Sequence, residues 1–199
     1  MNTQSEKWRL LTMLAQPATG LLRLCGWVLK PWERIYYTLR LMAQVRNMDA
    51  SVQCDGKVLV SGTGAISIGS RCRIGSNTEL QTNNEGRIIL GSDIRINRGC
   101  TIVSYAQVAI GDFTIIGEYV TIRDANHGMK THEPMRYQPH VSEPIAIGSD
   151  VWIGRGACIL PGVKIGSGSV IGANSVVTRD IPEFAIAAGM PAQVIRQRQ

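Results

Sequence analysis

Aliphatic residues recur at every sixth position along most of the chain. Fifteen positions follow this spacing in groups of three, and all are Ile, Leu or Val: Ile68, Ile74, Leu80, Leu90, Ile96, Ile102, Ile110, Ile116, Ile122, Ile147, Ile153, Ile159, Ile165, Ile171 and Val177. Two residues before each stands a small or β-branched residue without charge. Two inward residues at strand-like spacing in every six predict a short flat face followed by a bend. Three faces close one coil, so the pattern predicts an all-β domain, a parallel β-helix of about five full coils.

Interruptions of the six-residue period occur only between the groups of three. The spacings there are 10, 8, 25 and 6 residues. Every insertion is therefore expected to leave the prism at one corner, and the longest forms an extruded loop over residues 123–144. We predict a β-helix domain over 51–182, an N-terminal segment over 1–50 and a C-terminal tail over 183–199.

Composition fits this architecture. The chain has 21 glycines and only 6% aromatic residues. Glycine suits tight corners, and a narrow prism has little room for rings. Five cysteines include no CxxC pair, so neither a disulfide framework nor a structural zinc site is expected. Cys72 and Cys100 fall on the small inward position and are interpreted as packing residues.

The first 50 residues differ from the rest. They hold seven basic and three acidic residues, two of the glycines and five of the eleven aromatics. The segment is predicted to be helical, with breaks at Pro17, Gly20 and Pro31. It is either a helical cap on the β-helix or an interfacial amphipathic segment that contacts anionic lipid through residues 1–46. The net charge of +6 therefore favours a lipid surface over nucleic acid.

No signal-peptide pattern or spanning segment is found, so a cytoplasmic location is expected, with possible peripheral contact on the inner face of the cell membrane.

The stretch IAIGSDVWIGRGACILPGVKIGSGSVIGANSVVTRDIPEFAIAAGMPAQVIR over 145–196 resembles the hexapeptide-repeat acyltransferases. It is most similar to galactoside and maltose acetyltransferases and to polysaccharide O-acetyltransferases. The resemblance implies a left-handed coil, a homotrimer with inter-subunit active sites, and acetyl-CoA as co-substrate in a groove between subunits.

All three histidines of the chain lie in the extruded loop. Acyl transfer from a thioester to a hydroxyl needs a base, and an imidazole suits that task. The resemblance points to His127, within Asn126-His127-Gly128, as the catalytic base, with Asn126 as a substrate-binding candidate. Asp124 either orients this imidazole or is a turn residue. Related loops often carry a first histidine where this chain has Ala125. His132 and His140 are assigned structural or acceptor-contacting roles.

The histidines could alternatively form a zinc site of the β-helix carbonic anhydrase type. It would need a third histidine from an earlier coil, and the chain has no histidine before residue 127. No metal is therefore expected.

The resemblance also implies a donor site, with seven candidate residues: Trp152, Arg155, Gly172, Ala173, Thr178, Arg179 and Arg196. The arginines suit the phosphates of CoA because guanidinium forms charge-assisted, fork-like bonds. Asn97 is a substrate-binding candidate. Gly99 replaces the Asn or Asp that helps to hold the sugar in galactoside- and maltose-type enzymes, so a different acceptor is expected.

Three functions follow as hypotheses. The first is an O-acetyltransferase that modifies a sugar of a cell-surface polysaccharide or its lipid-linked precursor. The second is a soluble N- or O-acetyltransferase of a nucleotide sugar or another small molecule. The third is a catalytically silent β-helix that serves as an assembly scaffold.

Overall fold

The computed structural model describes residues 29–83 and 85–199. Residues 29–42 form a helix, α1. The described helix runs through Pro31, where a break was predicted. Pro31 is the third described residue of α1, and a proline is tolerated in the first turn of a helix because its missing N–H would have no partner there. The expectations for Pro17 and Gly20 lie outside the described residues. No helix of the described part is long and apolar enough to cross a membrane.

Twenty-two strands follow α1, most of them two to five residues long. In chain order they are β1 (Asn47–Met48), β2 (Gln53–Cys54), β3 (Val58–Ser61), β4 (Ala65–Ile68), β5 (Arg73–Ile74), β6 (Thr78–Thr82), β7 (Arg87–Leu90), β8 (Arg95–Ile96), β9 (Thr101–Ser104), β10 (Gln107–Ile110), β11 (Ile115–Ile116), β12 (Thr121–Arg123), β13 (Ala125–His127), β14 (His140–Ser142), β15 (Ile145–Ile147), β16 (Trp152–Ile153), β17 (Cys158–Ile159), β18 (Lys164–Ile165), β19 (Val170–Ile171), β20 (Val176–Val177), β21 (Ala185–Gly189) and β22 (Ala192–Gln197).

These strands form the three faces of a parallel β-helix. Face 1 has the order β1-β4-β7-β10-β15-β18, face 2 the order β2-β5-β8-β11-β16-β19-β21-β22, and face 3 holds β3, β6, β9, β12, β17 and β20. Pairing on the faces is parallel except between β21 and β22. Each coil thus crosses all three faces in turn, as the six-residue period predicts.

The prism has six complete coils and part of a seventh, where the sequence predicted about five. The additional complete coil is β1–β3, and its first strand lies within the segment 1–50. Met48, Cys54 and Val60 keep the six-residue spacing there. None is followed by glycine, so the repeat pattern in the sequence did not reveal this coil. The partial coil continues through Ile181, which bridges to Ile165, and through β21.

The interior consists of the two predicted columns of inward residues. All fifteen aliphatic residues of the period are buried, with at most 4% of their surface exposed. The residues two positions earlier are also buried, including Cys72, Cys100 and the polar Thr78, Thr114 and Ser169. Strands stack at about 4.8 Å, so each inward side chain packs directly on its equivalents in the coils above and below. The predicted core is confirmed.

The corners use glycine for a different reason than the sequence analysis gave. Most left-handed turn positions are occupied by other residues, such as Asp93, Tyr119 and Asn174, with φ between 55° and 61°. The repeat glycines lie two residues earlier, and a larger residue would not fit there because the next coil is close. A Cβ on Gly117 would lie 2.6 Å from the backbone nitrogen of Arg155. Coil stacking, more than turn conformation, therefore requires these glycines.

Helix α1 packs against the first coil with one side only. Leu41 is 1% exposed and joins the core. The backbone N–H of Cys54 donates to Thr38 Oγ1 at 3.0 Å, and Arg34 pairs with Asp55 at 3.1 Å. The other side carries large apolar residues at helical spacing, each at least half exposed: Leu29, Trp32, Ile35, Tyr36 and Leu39. The helix therefore has two apolar sides, of which residues 29–83 and 85–199 cover one.

Candidate active site

The longest insertion leaves the corner between faces 3 and 1 and folds into a hairpin. It begins after β12, and its base is the antiparallel pair β13–β14. The register opposes Asn126 to Val141 and His127 to His140. The predicted catalytic residue thus lies on a short strand that a defined partner strand holds at the edge of the prism.

His127 is the first member of a row of three stacked rings. Its ring centroid lies 4.3 Å from that of His140, with 41° between the planes. The His140 ring lies 4.5 Å from that of Tyr105, and the Tyr105 hydroxyl is 3.4 Å from His140 Nε2. Tyr105 belongs to the turn between β9 and β10, one coil earlier at the same corner. Sequence reasoning missed Tyr105, because adjacency across coils does not follow from proximity along the chain.

His140 has an electrostatic environment that favours its neutral form. Partial removal of water lowers the pKa of its imidazole below the ordinary value, and the charges of His127 and Arg123 lower it further. A neutral imidazole with an unprotonated Nε2 is able to accept a hydrogen bond from a hydroxyl. The row of rings is therefore consistent with Tyr105 as donor and His140 as acceptor.

Asp124 is completely buried at the start of the hairpin. Its carboxylate accepts hydrogen bonds from the backbone N–H groups of Tyr105 at 2.7 Å and Ala106 at 2.9 Å, and from the Ser104 hydroxyl at 2.9 Å. Among the described residues, no hydrogen bond joins Asp124 to His127. Of the two roles left open by the sequence, the structure favours the turn residue, and the turn that Asp124 holds belongs to the neighbouring coil.

The outer part of the hairpin is held by Gln138, which is 5% exposed. Its amide oxygen accepts from the N–H of Lys130 at 2.8 Å, and its amide nitrogen donates to the carbonyls of Lys130 at 2.8 Å and Glu133 at 2.6 Å. One side chain therefore bridges this loop, which also contains a 3-10 helix over Met135–Tyr137. His132 lies exposed in this loop.

The predicted donor-site residues fall in three places, the two edges of face 3 and the outer surface of face 2. Arg155, Gly172 and Ala173 lie at the corner between faces 2 and 3, whereas Thr178 and Arg179 follow β20 at the corner with the hairpin. Trp152 faces outward on face 2 and is 56% exposed. Its row on that face continues through Val170 and Ile186 to Arg196. One chain thus divides the seven residues among three places.

Arg155 stacks on an aromatic ring that the sequence analysis did not single out. Its guanidinium carbon lies 5.5 Å from the centroid of Tyr119, and that of Arg98 lies 5.8 Å from the same ring. Gly99 makes room for this ring, since a Cβ there would lie 2.6 Å from it. Two cations are thereby fixed at this corner. This arginine pair could have been found from the sequence, because Arg98 and Arg155 occupy the same position of different coils.

Asn97 lies at the same corner as Arg155 and lines a cavity of about 260 Å³ with Arg95, Arg98 and Glu118. The other predicted substrate-binding residue, Asn126, is exposed beside His127. The two asparagines belong to opposite edges of face 3, so one chain does not bring them together.

Comparison with known proteins identifies the repeats. The model of the bacterial transferase hexapeptide (six repeats) matches residues 144–179, and that of the hexapeptide repeat of succinyl-transferase matches residues 65–104. WbbJ of Escherichia coli K12, named as a lipopolysaccharide biosynthesis O-acetyl transferase, is 34% identical over 146 residues, which cover 69% of this chain and 74% of WbbJ. The chain belongs to the hexapeptide-repeat acyltransferase family. The galactoside O-acetyltransferase of the same organism is 44% identical over 110 residues, which are 55% of this hexapeptide-repeat acyltransferase and 54% of that relative.

Solved structures agree with the fold of this hexapeptide-repeat acyltransferase. AntD, an N-acyltransferase from Bacillus cereus, superposes with a TM-score of 0.71 at 23% identity, over 81% of this chain and 89% of AntD. A hexapeptide-repeat acetyltransferase of Vibrio cholerae, solved with acetyl coenzyme A, has a TM-score of 0.53 at 30% identity, over 69% of this chain and 71% of that one. The predicted fold class and family are both confirmed, and the chain is an acyltransferase.

His127 and His140 are neighbours, with 4.3 Å between their ring centroids. Within 29–83 and 85–199, no three His, Cys, Asp or Glu residues are grouped so that they could hold a metal ion.

Proposed function

We propose that this chain is an acetyl-CoA-dependent O-acetyltransferase whose acceptor is a sugar hydroxyl of a cell-surface polysaccharide or its lipid-linked precursor. The observation that carries the proposal is the exposed imidazole of His127 on a hairpin fixed at the edge of the prism. The acceptor class is supported by the similarity to WbbJ over most of both chains. The reaction takes place on the cytoplasmic side of the cell membrane, where acetyl-CoA is available.

In the proposed reaction His127 is the general base. Its imidazole takes the proton of the sugar hydroxyl as the oxygen attacks the thioester carbonyl carbon. A backbone N–H of a neighbouring coil stabilises the tetrahedral oxyanion. The C–S bond then breaks, the acetyl group remains on the sugar oxygen, and the proton on His127 passes to the departing thiolate. The products are an acetyl ester and free CoA, and no covalent acyl-enzyme is needed.

The position of the donor-site residues supports an active site shared between subunits. His127 and Arg155 lie at opposite edges of face 3, a distance of up to about 20 Å for a six-residue face. A second copy brings a group of donor residues to the hairpin of the first. The exposed apolar row of Ile115 and Trp152 on face 2 is suited to subunit contact. We therefore propose a homotrimer in which Trp152, Arg155, Gly172, Ala173, Thr178, Arg179 and Arg196 bind CoA, and Asn97 and Asn126 contact the sugar.

The test is the replacement His127→Ala, with Thr131→Ala as the matched control at an exposed position of the same loop. Removal of a general base should lower the rate about 10²- to 10⁴-fold. Mass spectrometry of surface glycans should show an acetyl increment in cells with the unaltered protein or Thr131→Ala, but almost none with His127→Ala. Calorimetry should show unchanged CoA binding. An undiminished increment with His127→Ala would contradict the role of this residue, and an unaltered chain that never consumes acetyl-CoA would favour a scaffold.

We further propose that the uncovered side of α1 rests on an anionic bilayer. Its residues include Trp32 and Tyr36, side chains that favour the headgroup region. Lys30 and Arg40 are exposed on the same helix and would attract anionic lipid. Contact of this kind would bring the enzyme to a lipid-linked acceptor.

Flotation with vesicles of phosphatidylglycerol and phosphatidylethanolamine tests this contact. The full chain should float with the vesicles, and the double replacement of Trp32 and Tyr36 by Ser should reduce the floating fraction severalfold. Trp152→Ser removes an indole of face 2 that is 56% exposed, against 68% for Trp32, and should leave flotation unchanged. Equal flotation of all three proteins would refute the membrane contact and leave acyl transfer untouched.

A further inference from the structure

The row of rings at the hairpin assigns a role to residues beyond His127. We propose that His140 is a positioning residue for His127, held in place by Tyr105, whose backbone is fixed in turn by the buried Asp124. The proposal rests on the function proposed for His127 and deepens it. Four side chains from two coils would thus act as one unit.

The first step of the argument is the hairpin register. His127 and His140 are directly opposed on β13 and β14, and opposed side chains on one face of an antiparallel pair are close enough to interact. The observed ring separation of 4.3 Å, with 41° between the planes, places the two imidazoles in direct, tilted contact. An exposed imidazole without such a neighbour would sample several rotamers. Stacking on His140 restricts His127 to one of them.

The second step is what holds His140. Its other neighbour is Tyr105, at 4.5 Å between ring centroids and 3.4 Å between the hydroxyl and Nε2. A hydroxyl that donates to Nε2 requires the neutral imidazole with its proton on Nδ1. The groups that face His140 are Arg123 from β12, His127 from β13 and Tyr105 from the turn after β9. Partial removal of water, the neighbouring His127 and the positive charge of Arg123 all disfavour a charge on His140, which agrees with its lowered pKa.

The third step is the anchor of Tyr105. Its backbone N–H donates to buried Asp124, which also holds Ala106 and Ser104. Asp124 immediately precedes β13, so one carboxylate fixes the start of the hairpin and the turn that presents Tyr105. Sub-ångström placement of a base matters, because a displacement of about 1 Å in an active site lowers a rate on the order of 10²-fold. Through Asp124 and Tyr105, the rigid prism holds the histidines of the hairpin in this position.

The deciding measurement is a pH titration of the full chain with histidine labelled at Cε1, followed by NMR. The chain has three histidines, so His132→Ala, His140→Phe and His127→Gln assign the three signals. In the unaltered protein the midpoint of His140 should lie below the ordinary value of a histidine, in line with its lowered pKa. Tyr105→Phe removes the donor that favours neutral His140, so it should raise the His140 midpoint. The signal of His127 should show a ring-current shift that His140→Ala abolishes and His140→Phe preserves.

Activity supplies the second readout, through the rate of acetyl increment on the surface glycan. His140→Ala should lower this rate about 10- to 100-fold with unchanged CoA binding, whereas His140→Phe should keep most of it, since it retains the stack. Thr131→Ala, at an exposed position of the same loop, is the matched control with full activity. If His140→Ala matches Thr131→Ala in rate and leaves the His127 signal unshifted, the positioning role is wrong, even though His127→Ala is inactive. If His140→Phe is as damaged as His140→Ala, stacking is not the cause and the proposal also falls.

Discussion

The prism and the hairpin that leaves it are stabilised in different ways. In the prism, each inward side chain packs on identical positions above and below, and residues such as Ile116 and Ile153 are completely buried. In the hairpin, Asn126, His127 and Val141 are exposed, and order depends on the polar side chains of Asp124 and Gln138. The prism has many weak, equivalent contacts, whereas the hairpin has a few specific ones. The prism is therefore the rigid region, and it supports the hairpin that carries His127.

The largest expected effect is a loss of stability when an aliphatic side chain of the prism is shortened, compared with the same kind of change in the hairpin. Ile116→Ala deletes a buried side chain between two coils and should lower the free energy of unfolding by about 3 kcal/mol. Val141→Ala removes a side chain that is 56% exposed and should cost below about 0.5 kcal/mol. Denaturant unfolding measures both. Similar losses at the two positions would mean that the hairpin is part of the cooperative core.

A smaller, local effect is expected at Gln138. Replacement by Ala removes three hydrogen bonds and leaves backbone groups of Lys130 and Glu133 to water. Because the loop is exposed, the cost should be about 1 kcal/mol and restricted to the hairpin. Hydrogen exchange should quicken over residues 128–138 while the amides of β11 and β16 keep their protection. Accelerated exchange in the prism would contradict the separation of the two regions.

The smallest effect concerns the contact between α1 and the prism. A hydrogen bond and charge from Arg73, with a further contribution from Arg34, lower the pKa of Asp55. A folded pKa below the unfolded one gives stability that is present above the unfolded pKa of about 4 and lost as pH falls through the folded value. The contribution of such partly exposed pairs is below about 1 kcal/mol. Asp55→Asn should flatten this part of the pH profile of the melting temperature, and an unchanged profile would argue against the pairing.

The same contrast explains what could be predicted from the sequence. The fifteen aliphatic positions and the corner of the insertions follow from a period that the chain repeats, so the core was predicted residue by residue. The first coil was missed because Met48, Cys54 and Val60 keep the spacing without the glycines. The partners of His127 were not predictable, since Tyr105 and His140 are brought together by coil stacking and hairpin register. Asp124 illustrates the limit, because its three hydrogen bonds all reach the preceding coil.

The two ends of the β-helix affect whether molecules of this protein join end to end. A parallel β-helix exposes open strand edges at both ends, and such edges promote fibre growth by joining one molecule to the next. Here α1 inserts Leu41 over the first coil. At the other end of face 2, β22 reverses direction, contains a register shift against β21 and carries Gln193, Arg196 and Gln197. A charged, irregular, antiparallel edge does not continue a parallel stack. The chain therefore limits its own length as a solenoid and resists end-to-end polymerisation.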